Sequence, residues 1–121
     1  MDRVRFEELV AEALQDVPDF FRQRLDNVVL VVADWPSHSD LISTGLHPGQ
    51  SLLGLYQGVP QTKRSSGYGM VTPDRITIFM GPVLSICRSE QECRDEVRRV
   101  VLHELGHHFG LSDERLRELG V

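Results

Sequence analysis

The chain has 121 residues, of which 40% are hydrophobic and 26% are charged, so we expect a single domain over residues 1–121 with one core. Its formal net charge of −5 argues against general binding to nucleic acid or to an anionic membrane, because both need a basic surface. The longest apolar run, residues 28–33, is too short to cross a bilayer, and the acidic start does not resemble a signal peptide, so we expect a cytoplasmic protein.

The first third of the chain predicts two helices and a strand. Apolar residues recur at helical spacing over residues 3–15, with charged residues between them. Pro18 suits the first position of a second, short helix. The β-branched run V-V-L-V-V-A at 28–33 predicts a buried strand. Residues 34–51 are polar, contain prolines and glycines, and predict a loop.

The middle of the chain predicts two further strands. S-L-L-G-L-Y at 51–56 is typical of a strand, and its glycine indicates a bulge or an edge position. A glycine-, serine- and lysine/arginine-containing loop follows over residues 57–69. R-I-T-I-F-M at 75–80 alternates as a strand does, and residues 81–87 predict a short helix.

A long helix is predicted near the C-terminus. Ser89 and Glu92 have the spacing of a capping box, and the helix is expected to run to about Phe109. Gly110 is placed to end it, and residues 112–120 predict one last short helix. The whole pattern predicts an α+β fold, in which helices flank a small mixed sheet of three or four strands.

The two cysteines, Cys87 and Cys93, are predicted to be free thiols of a reducing cytosol. A disulfide between them is an alternative that their spacing neither requires nor forbids. A metal site on this pair is disfavoured, because such sites use closer spacing and more ligands.

The predicted C-terminal helix carries V-L-H-E-L-G-H-H-F-G at 101–110. At about 100° per residue, Glu104 lies about 100° and His107 about 40° from His103, so all three share one face. Two histidines four residues apart can bind one zinc ion, and a carboxylate between them stands where a general base is needed. The opposite face is expected to anchor the helix in the core through Leu102, Leu105 and Phe109.

A third metal ligand is predicted beyond the helix. Gly110 can turn the chain through a positive φ and bring Asp113 back toward His103 and His107. One zinc ion per chain is therefore expected on these three side chains. The alternatives are a solvated helix end with unliganded histidines, and an acid that only complements the dipole of the last helix. The neighbouring His108 is expected to pack rather than to bind metal.

In its length and in this motif, the chain resembles the bacterial zincin-like minimal metallopeptidases, which are small and carry H-E-x-x-H-x-x-G-x-x-D near the C-terminus. Further resemblance lies in F-x-E-L-V-x-E-A-L near the start, L-D-N-V at 25–28, L-L-G-L-Y-x-G-V-P at 52–60 and P-D-R-I-T-I-F at 73–79. The family's metal ligands map onto His103, His107 and Asp113, and its catalytic glutamate onto Glu104. The third ligand differs from the histidine of metzincins, and no methionine follows the motif.

The resemblance implies hydrolysis of a peptide bond in a peptide or protein substrate by a zinc-activated water, with Glu104 as the general base. Tyr56 and Tyr68 are candidates for an oxyanion donor or substrate contact, with a packing or surface role as the alternative. The resemblance also implies that an extended peptide pairs with an edge strand, for which the segment Leu52 to Tyr56 is the predicted site.

Two other functions stay open at this point. One is a metal-dependent endoribonuclease, a class in which one bacterial family uses a three-histidine zinc site on a related-looking helix. Glu104, the acid at position 113 and the negative net charge argue against it. The other is a non-catalytic zinc-binding interaction module, against which Glu104 argues only weakly.

Overall fold

The computed structural model describes residues 1–15, 17–45, 52–58 and 73–121. The first described elements are α1 (Arg3–Ala13), α2 (Asp19–Leu25), β1 (Val28–Ala33) and α3 (His38–Ser43). They are followed by β2 (Gly54–Gln57), β3 (Asp74–Phe79), α4 (Met80–Ile86), α5 (Glu90–His108) and α6 (Asp113–Glu118). The predicted α+β class is confirmed.

The described strands form one mixed sheet in the order β1-β3-β2. β1 runs parallel to β3, with Val28 opposite Asp74, and β2 runs antiparallel to β3, with Gly54 opposite Ile78. β3 therefore lies in the middle, and its Ile76 and Ile78 are fully buried. Within the described part of the chain β2 pairs with β3 alone, in agreement with the border position predicted for residues 52–56.

The long helix α5 is the central support of the domain. It contacts β2 and β3 on the sheet side, and α1, α2, α4 and α6 around the rest of its surface. Its buried stripe follows the helical period and includes Val97, Val101, Leu102 and Leu105. The predicted amphipathic helix α1 packs on it, and the buried side chains of α1 include Phe6, Leu9 and Val10. Because α5 is held on several sides, its last turns are fixed relative to β2.

Both ends of α5 are capped by side-chain or backbone hydrogen bonds. Ser89 Oγ accepts from the Glu92 N–H at 3.1 Å. The Glu92 carboxylate accepts from the Arg88 N–H at 2.8 Å. The reciprocal bond of the predicted capping box therefore comes from the N–H of Arg88 and not from that of Ser89. At the other end Gly110 has φ +83°, and the Leu111 N–H donates to the Gly106 carbonyl at 2.9 Å. This is a Schellman turn, and it needs the glycine because a side chain at positive φ is strained.

Three sequence predictions are corrected here. Residues 28–33 form the strand β1, but the strand is not buried, since Val29 is 45% exposed. The predicted loop 34–51 contains the helix α3, closed by a reciprocal capping box between Ser37 and Asp40. No residue of α3 is buried, so it has no apolar period by which it could be recognised. Phe109, expected in the core, is 49% exposed, because α5 ends at His108 and Phe109 lies beyond its buried stripe.

Cys87 and Cys93 are both free, as expected, and no disulfide joins them. Within the ranges described above, none of the helices combines the length and the apolar character that crossing a membrane would require. Most of the predicted loop 57–69, including Tyr68, lies outside the described residues.

Candidate active site

The structure brings His103, His107 and Asp113 together at the C-terminal end of α5. The His107 Nε2 lies 2.7 Å from Asp113 Oδ1, and the His103 Nδ1 lies 3.4 Å from the same oxygen. One ligand atom from each of the three side chains lies within 4.8 Å of the others. The three predicted ligands thus converge on one point, although they come from two helices.

The geometry of this cluster fits a zinc ion. Zinc binds nitrogen and oxygen at about 2.0–2.1 Å, so ligand atoms at tetrahedral angles are about 3.3 Å apart. The 3.4 Å between His103 and Asp113 matches that value, whereas the 2.7 Å between His107 and Asp113 is a hydrogen-bond distance and would have to widen by about 0.6 Å around an ion. Two imidazoles and one carboxylate are a donor set that catalytic zinc uses, and three protein ligands leave a position for water.

The ring of His103 has a second polar partner. Its Nε2 lies 3.2 Å from the carbonyl oxygen of Val121, while its Nδ1 faces Asp113. A hydrogen bond at the far nitrogen of a ligating histidine fixes the orientation of the ring and favours one tautomer. The side chain of His103 is also largely buried, whereas that of His107 is half-exposed.

Asp113 reaches the cluster because α6 packs tightly against α5. Ser112 caps α6 by accepting from the Arg115 N–H at 3.1 Å, which starts the helix at Asp113. One turn later, the fully buried Leu116 lies against Gly106. A Cβ at Gly106 would lie 2.6 Å from Leu116 Cδ2, closer than side chains pack. The glycine inside the motif therefore lets α6 approach.

The ionisation of Asp113 suits a metal ligand. Its hydrogen bond with His107 holds the pKa of the Asp113 carboxyl below its usual range, and the charges of His107 and His103 act in the same direction. Partial desolvation opposes this shift and is outweighed. The carboxylate therefore stays ionised over a wide pH range.

Glu104 lies between the two histidines in sequence and is half-buried beside the cluster. Burial raises the pKa of its carboxyl, because desolvation disfavours the charged form. The neighbouring His107 and a hydrogen bond from the Tyr56 backbone N–H oppose that rise in the pKa of Glu104. A carboxylate held in this way has a higher proton affinity than an exposed one, which is what a general base needs.

The cluster opens into a cleft of about 360 Å³ between α5, α6 and β2. Its lining includes both histidines, Glu104 and Asp113, together with Leu52, Leu53, Gly54, Arg99 and Val100. β2 comes close to α5 because residue 54 is glycine: a Cβ there would lie 2.5 Å from Val100 Cγ1. Arg99 was not predicted, although its position four residues before His103 places it on the same helix face.

Other predicted residues do not join the cluster. The Tyr56 hydroxyl donates to Asp74 Oδ2 at 2.5 Å, and its ring stacks on His108 with centroids 4.0 Å apart. Tyr56 would have to leave Asp74 to serve as an oxyanion donor. His108 lies against Tyr56 rather than with the other histidines, in agreement with the packing role expected for it. Tyr68 is not among the described residues.

Comparison with known proteins identifies the family of the chain. The family model described as "Zincin-like metallopeptidase" matches residues 25–121, which include every described residue of the cleft. The chain is also similar in structure to a conserved hypothetical protein (TTHA0227) from Thermo thermophilus. That similarity has a TM-score of 0.56 and 26% identity, and covers 89% of this chain and 94% of the other. No protein with a curated description matches. By its matched residues, the chain belongs to the zincin-like metallopeptidase family.

Proposed function

We propose that the protein is a zinc-dependent peptidase that binds one zinc ion per chain on His103, His107 and Asp113. The observation that supports this most directly is the convergence of these side chains, with the half-buried Glu104 beside them in an open cleft. Membership of the zincin-like metallopeptidase family supports the same assignment. Zinc, when bound, lowers the pKa of a water molecule and polarises the carbonyl of the scissile bond.

Glu104 is the residue that moves the proton. Its carboxylate accepts a proton from the attacking water, and the resulting carboxylic acid donates it to the amine that leaves. The raised pKa of Glu104 favours the first transfer, because a more basic carboxylate accepts the proton of the water more readily.

The outer edge of β2 is the proposed site for the substrate backbone. The Phe79 N–H donates to the Leu53 carbonyl at 3.0 Å, so Leu53 and Phe79 form a hydrogen-bonded pair of the ladder. Because such pairs alternate along antiparallel strands, Leu55 bonds to β3, whereas Gly54 and Tyr56 direct their backbone groups away from it. Among the described residues, Gly54 thus directs its backbone N–H and C=O outward from the sheet, where an extended peptide could pair with them.

The test combines metal analysis with a digestion assay. The purified protein is loaded with zinc, dialysed, measured by elemental analysis, and incubated with a library of unstructured peptides. We expect about one zinc per chain and cleavage that stops on chelation and returns on adding zinc back. A protein that holds no zinc at micromolar concentrations, or a zinc-loaded protein that cleaves RNA and leaves every peptide intact, would contradict the proposal.

A further inference from the structure

Arg99 lines the same cleft as the cluster of His103, His107 and Asp113, and it lies one helical turn before His103. Four residues of an α-helix turn through about 400°, so Arg99 lies only about 40° from His103 on the surface of α5. The same four residues rise about 6 Å along the helix axis. For a peptide that runs beside α5 and advances about 3.3 Å per residue, this distance corresponds to about two residues of substrate.

The guanidinium of Arg99 is oriented by one neighbour. Glu96, one turn earlier, accepts from both Nε and Nη2 of Arg99, with an Nε to Oε2 distance of 3.3 Å. A guanidinium carries five N–H groups, so this pair leaves donors for another acceptor. Among the described residues no second carboxylate forms an ion pair with Arg99, and its side chain is 47% exposed. An orientation that is already fixed lowers the entropy cost of binding a ligand there.

The charges around the cleft mark Arg99 as its binding point for an anion. Of the residues described in the cleft lining, Arg99 is the only one whose side chain is always positively charged. The two lining carboxylates, Glu104 and Asp113, carry the charge that a divalent ion would offset. A substrate carboxylate near Arg99 then meets a guanidinium whose charge is partly balanced by the paired Glu96 and which also interacts with Asp113.

We propose that Arg99 determines substrate specificity by binding a carboxylate of the peptide within about two residues of the scissile bond. The carboxylate comes from an acidic side chain or from the C-terminus of the peptide, and both present the same planar group to the guanidinium. This inference rests on the proposed peptidase function and names the class of substrate for that site. The alternative is a structural role, in which the exposed ion pair between Arg99 and Glu96 only stabilises the helix.

The experiment compares zinc-loaded wild type with Arg99→Gln on matched peptides. In one set each Glu near the scissile bond is replaced in turn by Gln, and in a second set the C-terminal carboxylate is replaced by an amide. We expect kcat/KM of the wild type to fall about 10- to 100-fold when the recognised carboxylate is removed. The Arg99→Gln protein should cleave both members of that pair at similar rates, and the affected set identifies the source of the carboxylate.

Arg94→Gln is the matched control. Arg94 lies on the same helix and also pairs with an acid, Glu12, but it does not belong to the cleft lining. This variant should retain the carboxylate preference of the wild type. If Arg99→Gln and Arg94→Gln both lower stability and neither alters the preference, the purely structural role of Arg99 is correct and the inference is wrong.

A binding measurement keeps the inference testable if no peptide is cleaved. Fluorescence anisotropy of labelled members of the two peptide sets, with zinc-loaded protein, gives their dissociation constants. Carboxylate-dependent binding that disappears in Arg99→Gln supports the inference even where the peptidase function fails. Peptides that are cleaved or bound equally well with and without the carboxylate overturn the inference, and cleavage in that case leaves the peptidase function standing.

Discussion

The substitution Gly106→Ala tests whether the metal site depends on the packing of α6. A Cβ at position 106 would lie 2.6 Å from Leu116 Cδ2, and ordinary contact starts at 3.4 Å, so Leu116 must move by about 0.8 Å. Overpacking of this kind costs about 1–3 kcal/mol. Alanine has a higher helix propensity than glycine, and this difference offsets about 1 kcal/mol of that cost. The free energy of unfolding of the metal-free protein should therefore fall by about 0–2 kcal/mol.

The effect on zinc should be larger than the effect on folding. Leu116 lies three residues after Asp113 on the same short helix, so its displacement should move the proposed third ligand. Ligand distances in zinc sites tolerate about 0.2 Å, and losing a supporting contact typically costs about 10- to 100-fold in metal affinity. We expect a loss in that range, measured by competition with a chromophoric chelator, while urea unfolding reports stability separately.

Leu116→Val supplies both the control and the rescue. It removes the Cδ atoms that an alanine at Gly106 would strike, and alone it measures the cost of the shortened side chain. Gly106→Ala combined with Leu116→Val should recover part of the lost zinc affinity, as a coupling in the double-mutant cycle. If Gly106→Ala binds zinc as tightly as wild type and resists urea better, Leu116 has room to adjust and this explanation of the glycine is refuted.

Three further outcomes are expected. Asp113→Ala should reduce zinc content strongly and His108→Ala should not, and full zinc in the Asp113→Ala protein would show that the third ligand is another group. Glu104→Gln should keep zinc and fold but lower peptide turnover at least about 100-fold, since only the basicity is removed; undiminished turnover contradicts the role of Glu104. Burial, and next the hydrogen bond with Cys93, raise the pKa of Cys87 to about 12, so its thiolate is scarce near pH 8. Alkylation of Cys87 at pH 8 should be about 100- to 1,000-fold slower in the folded protein than in urea, and should accelerate as pH rises; equal rates would contradict that pKa.

The parts of the site that follow helical periodicity were predictable from sequence. His103 and His107 are four residues apart, so any helix through them places both on one face. Asp113 was predictable because Gly110 marks a turn with positive φ, and the structure has that turn. These predictions depend on local geometry, which the order of residue types along the chain encodes directly.

Features that depend on tertiary packing could not be derived from the sequence. Arg99 has the same periodicity as the histidines, but its role became visible only when the cleft between α5 and β2 was known. Tyr56 was suggested by residue type alone, and the structure gives its hydroxyl to the buried Asp74. Helix α3 was missed because none of its residues is buried, although Ser37 and Asp40 carry the capping signal.

Both walls of the cleft are built in the same way, by a glycine that lies against a larger side chain. On the sheet side Gly54 of β2 lies against Val100, and on the other side Gly106 lies against Leu116 of α6. At both contacts a Cβ on the glycine would come within 2.6 Å of the opposing side chain, so both walls stand closer to α5 than side chains normally allow. The first contact sets the distance from the β2 edge to Glu104, and the second sets the position of Asp113. Since both contacts converge on α5, changes in the buried residues Val100 and Leu116 should alter catalysis and metal binding although neither residue is a ligand.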